Sequence, residues 1–180
     1  MGEENRNTLK NELFDWAQNI AIILTVVVLL FTFALRIIGV EGPSMMNTLH
    51  DGDWLLVSDL FYKPENGDIV IIKKDEFMQS PIVKRVIATE GQTVDIDFDM
   101  GTVWVDGVML DEPYANDRTT RAFDMQFPQT VPEGCVFVLG DNRNHSSDSR
   151  TSSLGMVDER LIVGKVIFRI LPINSFGTVK

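Results

Sequence analysis

Cysteine is nearly absent. Cys135 stands alone, so no disulfide can form within the chain. Histidine is scarce as well, with only His50 and His145. Beside a single cysteine, two histidines are a poor ligand set for a zinc-type centre. We therefore expect no metal and no cofactor. Basic residues are the minority: 16 Lys and Arg stand against 26 Asp and Glu, a net charge of −10. Nucleic acids select basic surfaces, so that balance argues against such a partner. No internal repeat and no low-complexity tract is visible. Past residue 38 helical periodicity nearly vanishes too, which leaves little room for a helical bundle.

What the chain does contain is one long uncharged run, Ile20 to Leu35. Extended to Ile38 it covers about 19 residues, or about 29 Å as a helix, the thickness of a bilayer core. Arg36 sits near its end, where a long side chain can reach the headgroups. A cleaved signal peptide is the competing reading, but the run is long for one and lacks a small-x-small site at its end. A buried core helix is the other, but this run is apolar all round. The chain thus divides into a short, cytoplasmic N-terminal arm at 1–17, a membrane anchor at 18–38 and an extracytoplasmic domain at 39–180. The charge bias of the arm is weak, with Arg6 and Lys10 beside Glu3, Glu4, Glu12 and Asp15.

Short apolar or alternating segments recur after the anchor. Trp54–Val57 follows Asp51-Gly52-Asp53, and Asp68–Ile72 follows the turn-like Pro64-Glu65-Asn66-Gly67. Residues 82–89, 93–98, 102–110, 136–139 and 162–170 read as further strands, with Asp106-Gly107 a strong hairpin signal. The expectation is a mostly β fold: a coiled or barrel-like antiparallel β domain behind one N-terminal transmembrane helix. The segment 111–130 reads as an ordered excursion across the sheet.

Three clusters carry chemistry. Ser44 lies just past the apolar run, in Gly42-Pro43-Ser44-Met45-Met46. The G-x-S-x-G elbow is absent, because Met46 stands where its second glycine would be. Lys84 lies on a strand among Ile82, Val83, Val86 and Ile87. A neutral lysine can take a serine proton, which requires its pKa to fall roughly two units from ~10.4, about 3 kcal/mol. Strand alternation alone equally allows Lys84 to point at solvent. The third cluster, Gly140 to Arg150, is a polar loop directly after an apolar strand. In it Ser146 is placed to fix the lysine amine, and Asp148 with Arg150 to brace the loop as a charge pair.

Four stretches together resemble the ordered boxes of the bacterial type I signal peptidases, in their compact Gram-positive form. They are Gly42-Pro43-Ser44-Met45-Met46-Asn47-Thr48-Leu49, Gly67-Asp68-Ile69-Val70, Lys84-Arg85-Val86-Ile87 and the run from Gly140 to Arg150. The resemblance spans nearly the whole chain. It implies a membrane-anchored serine endopeptidase with a Ser/Lys dyad that removes signal peptides from exported preproteins. The implied nucleophile is Ser44 and the implied base Lys84. Ser146 resembles the serine that orients the lysine. Asp141, Asn142 and Arg143 shape its loop, and Asp148 with Arg150 supports it. By motif analogy and apolar character, Val40, Met45, Leu49, Ile82 and Val83 would line pockets for small substrate residues at −3 and −1. The implied partners are secretory preproteins, the phospholipid bilayer and a translocation channel. Two positions depart from the pattern: Asn47 stands where a proline is frequent, and Gly42 where some members carry a hydroxyl. A histidine base at His50 or His145 and a catalytically inactive anchored scaffold are the alternatives.

Overall fold

The structure, a computed structural model, describes residues 2–179. Helix α1 spans Gly2–Phe33. Eleven strands follow: β1 (Leu35–Gly39), β2 (Trp54–Ser58), β3 (Ile69–Ile72), β4 (Ile82–Thr89), β5 (Thr93–Asp97), β6 (Thr102–Val105), β7 (Val108–Met109), β8 (Gln129–Thr130), β9 (Cys135–Leu139), β10 (Val157–Asp158) and β11 (Ile162–Leu171). The chain forms two compact units, Met1–Arg36 and Ile37–Lys180.

In the first unit, leucine, alanine and β-branched residues without an interior proline sustain a single helix. Ile20, Ile23, Leu24, Val28 and Phe31 are all exposed on it. Within it, Lys10–Leu29 is long and apolar enough to cross a bilayer. Helix begins at Gly2, so the residues of the expected arm are helical as well. One expectation is corrected here: the helix does not reach Ile38. It ends at Phe33, and Leu35–Gly39 is the edge strand of a sheet. Ile37 and Ile38 are β-branched and suit that pleated edge.

The second unit holds two sheets. Seven strands run in the order β1-β2-β11-β3-β4-β9-β10, and four in the order β7-β6-β5-β8. Every pairing from β2 through β10 is antiparallel, and the larger sheet curls as a half-barrel. Register shifts in β11 and β4 mark where it bends. The turn at Asp106-Gly107 has both residues at positive φ (51° and 76°), the backbone a two-residue hairpin needs.

Strand β4 is buried along almost its whole length and joins three apolar clusters. Val83 packs with Val40, Met45, Leu49, Leu55 and Val57. Ile82 and Val86 pack with Val70, Val138 and Leu154. Ile87 and Ala88 pack with Val94, Val105 and Phe137 of the junction with the small sheet. Whatever polar side chains β4 carries are thereby held in a dry interior.

Candidate active site

Ser44 sits in a tight turn after β1. Met46 N–H donates to Pro43 O at 3.1 Å and Leu49 N–H to Met45 O at 2.9 Å. Met45 and Leu49, 1% and 0% exposed, pin that turn to the core. Ser44 itself stays half-buried at the surface.

Lys84 is 3% exposed, so the solvent-facing alternative does not apply. Its Nζ donates to Ser44 Oγ at 2.8 Å and to Val83 O at 2.9 Å. Burial lowers its pKa from 10.5 to about 8. Asp148 and Asp141 pull it back up, and Arg150 pushes it down. Both carboxylates are already held by arginines, so desolvation dominates. A largely buried amine with a depressed pKa, touching one hydroxyl, is the arrangement a lysine base requires.

The loop after β9 clamps both partners. Asp141 accepts from Arg85 Nε at 2.8 Å and Nη2 at 2.7 Å, and also from Thr48 Oγ1. One carboxylate therefore ties the turn that carries Ser44 to the residue after Lys84. Asn142 N–H donates to Ser44 O and Asn142 Nδ2 to Pro43 O, both at 3.0 Å. Arg143 Nε reaches Gly140 O at 3.2 Å. Asp148 accepts from Arg150 Nε and Nη2, both at 2.8 Å, with both side chains fully buried. Asp148 also accepts from Gly140 N–H at 3.1 Å, and Arg150 Nη2 donates to Arg143 O at 2.5 Å.

Ser146 is buried, and among the described residues its Oγ has no hydrogen-bond partner; the Lys84 amine donates to Ser44 and Val83. Gly140 explains the crowding there. A Cβ on it would lie 2.2 Å from Ser146 Oγ and 2.5 Å from Ser44 O, so only glycine fits between them.

A cavity of about 320 Å³ opens above Ser44 and Lys84. Of the five expected pocket residues, Ile82 and Val83 line it. Val40, Met45 and Leu49 do not; they lie in the hydrophobic core, where they hold the turn rather than face solvent. The other lining residues were not among those expected there: Glu41, Gly42 and Pro43 before Ser44, Met78, Ser80 and Pro81 before β4, and Ser147. All but Ser147 lie close in sequence to Ser44 or Lys84, and Ser147 belongs to the polar loop after β9. His50 and His145 are exposed and line no part of the cavity. Among the described residues no cluster of His, Cys, Asp or Glu is suited to hold a metal ion.

The excursion at 111–130 also escaped assignment. Its Glu112 accepts from Arg143 Nη1 at 2.8 Å and Nη2 at 2.6 Å, and Thr119 Oγ1 accepts from Arg143 Nη1 at 2.8 Å. The Tyr114 ring lies 3.9 Å from the Arg85 guanidinium. The segment braces the loop from behind and contributes nothing to the cavity lining.

Comparison with known proteins agrees in kind. Residues 13–171 match the family described as signal peptidase, peptidase S26. Signal peptidase I of Bacillus licheniformis is 39% identical over 185 residues, covering 97% of each protein. Signal peptidase IB of Staphylococcus aureus strain Mu50 is 35% identical over 189 residues, 93% of this chain and 94% of that one. A crystal structure of a signal peptidase I from Enterococcus faecalis V583 aligns at 32% identity over 58% of this chain and 97% of that one, with a TM-score of 0.47. The match along most of the chain, with relatives this similar, means that it belongs to the signal peptidase family, peptidase S26.

Proposed function

We propose that this chain is a membrane-anchored serine endopeptidase that removes signal peptides from exported preproteins, with Ser44 as nucleophile and Lys84 as general base. The single observation that carries the reading is the 2.8 Å contact between Lys84 Nζ and Ser44 Oγ in a site where the amine is 3% exposed. Family membership supports signal-peptide removal.

The chemistry follows from that contact. Once neutral, Lys84 Nζ accepts the Ser44 proton while Ser44 Oγ attacks the carbonyl carbon of the −1 residue. The carbonyl π pair moves onto oxygen, within reach of the Ser44 N–H as one oxyanion donor. Gly42 N–H is unsuited to share that work, because it donates to Asp51 Oδ1 at 2.8 Å. Collapse of the tetrahedral adduct breaks the C–N bond, and the Lys84 ammonium returns its proton to the leaving amine. A water molecule, deprotonated by Lys84, then attacks the ester, and Ser44 recovers its proton.

The substrate would lie extended between residues 41–44 and 80–84, adding main-chain hydrogen bonds as a strand does. Small residues at −3 and −1 suit a cavity of about 320 Å³ walled by Ile82 and Val83. The proposed topology is a single pass with the N-terminus cytoplasmic and the catalytic domain outside, where a preprotein leaves the translocation channel. Protease added to intact cells should then digest the domain and spare the helix N-terminus; the reverse pattern overturns this orientation.

Replacing Ser44 by alanine should lower preprotein cleavage by at least ~10³-fold with the fold intact. In the unaltered protein kcat/KM should rise with pH through about 8, because the base acts only after losing its proton. A profile governed by a group near pH ~6.5 would point to histidine instead. Absence of cleavage at any pH would leave the inactive scaffold.

A further inference from the structure

The cavity over Ser44 carries only two ionisable side chains on its lining, Lys84 and Glu41. Lys84 works as a base only when neutral. In the competent state Glu41 is therefore the one charge the cavity presents. Among the described residues no other lysine and no arginine lines it.

Glu41 is not on a loose loop. On one side, Val40 N–H donates to Asp53 O at 2.8 Å and Gly52 N–H donates to Val40 O at 3.0 Å. On the other, Gly42 N–H is held by Asp51 Oδ1 at 2.8 Å. Val40 turns its side chain into the core, 3% exposed, and Glu41 is exposed on the cavity rim. The backbone is thus pinned on both sides of a carboxylate beside the nucleophile. Asp51 places a second carboxylate close behind it and leaves that wall with no compensating cation on the cavity side.

We propose that Glu41 is a charge-selecting residue for the substrate: it favours a cationic side chain, and disfavours an acidic one, at the peptide position that packs against residues 41–43. The inference rests on reading this cavity as the peptide-cleaving site. A carboxylate roughly 6–8 Å from a substrate charge, in a cleft partly filled with water, is worth about five-fold in rate for either sign at low ionic strength. A lysine peptide should then exceed its glutamate counterpart by about twenty-fold. Salt near 1 M, with a Debye length of about 3 Å, should erase most of that ratio.

The test uses the full chain in detergent micelles and fluorogenic peptides with alanine at −3 and −1. Lysine, glutamine or glutamate is placed in turn at each neighbouring position. The readout is the lysine-to-glutamate ratio of kcat/KM for the wild type, Glu41→Gln and Glu41→Lys. At one position the wild-type ratio should be about twenty, falling to near one in Glu41→Gln and inverting in Glu41→Lys. A ratio that neither variant moves at any position overturns the inference. If the wild type cleaves none of the peptides, the glutamine set included, the peptidase reading itself fails, and this inference with it.

Discussion

Lys84→Met should abolish cleavage and, at neutral pH, make the protein more stable. The expected activity loss is at least ~10³-fold, since among the described residues Lys84 Nζ is the basic group hydrogen-bonded to Ser44 Oγ. The gain in stability comes from the same burial. Lys84 has its pKa lowered from 10.5 to about 8, chiefly by desolvation. Below pH 8 the amine is charged in both folded and unfolded chains, and the folded state carries the whole desolvation cost. Between pH 8 and 10.5 the folded protein sheds the proton first, so the cost fades as pH rises. Above 10.5 both states are neutral and the cost is gone.

The shift corresponds to about 3 kcal/mol. Methionine keeps a flexible apolar stem but loses the hydrogen bonds to Ser44 and Val83, about 1 kcal/mol or less each. A net gain of about 1–2 kcal/mol at pH ~6.5 is expected, turning above pH ~10.5 into a small net loss from the missing hydrogen bonds. Urea unfolding of the full chain in micelles at the two ends of that range measures it. Equal stability of variant and wild type at the acid end would mean that the amine is hydrated, and the depressed pKa would fall with it.

Asp148→Ala should act in the opposite direction, costing about 3–5 kcal/mol. Its partner Arg150 is fully buried and would keep an uncompensated guanidinium in the core. Arg143 O and Arg121 O would still accept from it, at 2.5 Å and 2.9 Å, but carbonyls do not neutralise the charge. The Gly140 N–H would lose its acceptor as well. Gly140 separates Ser146 from Ser44, so its displacement disturbs the Ser44 carbonyl directly. Removing the charge too, in Asp148→Leu/Arg150→Met, should recover more than half of the stability. Denaturation midpoints of the single and double variants decide this. A single variant within about 1 kcal/mol of wild type would show that water reaches the pair.

The strands of the domain were legible because their signals are local. Alternation at 93–97, the β-branched run at 82–89 and the Asp106-Gly107 turn each act over a few residues. The end of the helix was not. Nothing in Leu35–Gly39 forbids helix, and what makes it strand is a place at the edge of the sheet next to β2, remote in sequence. The short strands β8 and β10 escaped for the same reason, since two residues carry no period of their own.

The candidate site divides along the same line. The composition and order of residue types by themselves determined a mostly β domain behind one apolar helix, and singled out a serine, a lysine and a polar loop. Only the tertiary structure decided that Lys84 is dry, because three apolar clusters packed on β4 cover both of its faces. Only it turned Val40, Met45 and Leu49 inward and left Glu41 on the cavity rim. Alternation along a strand says which residues share a face; what covers each face depends on segments tens of residues away, and that packing sets both the pKa of Lys84 and the lining of the cavity.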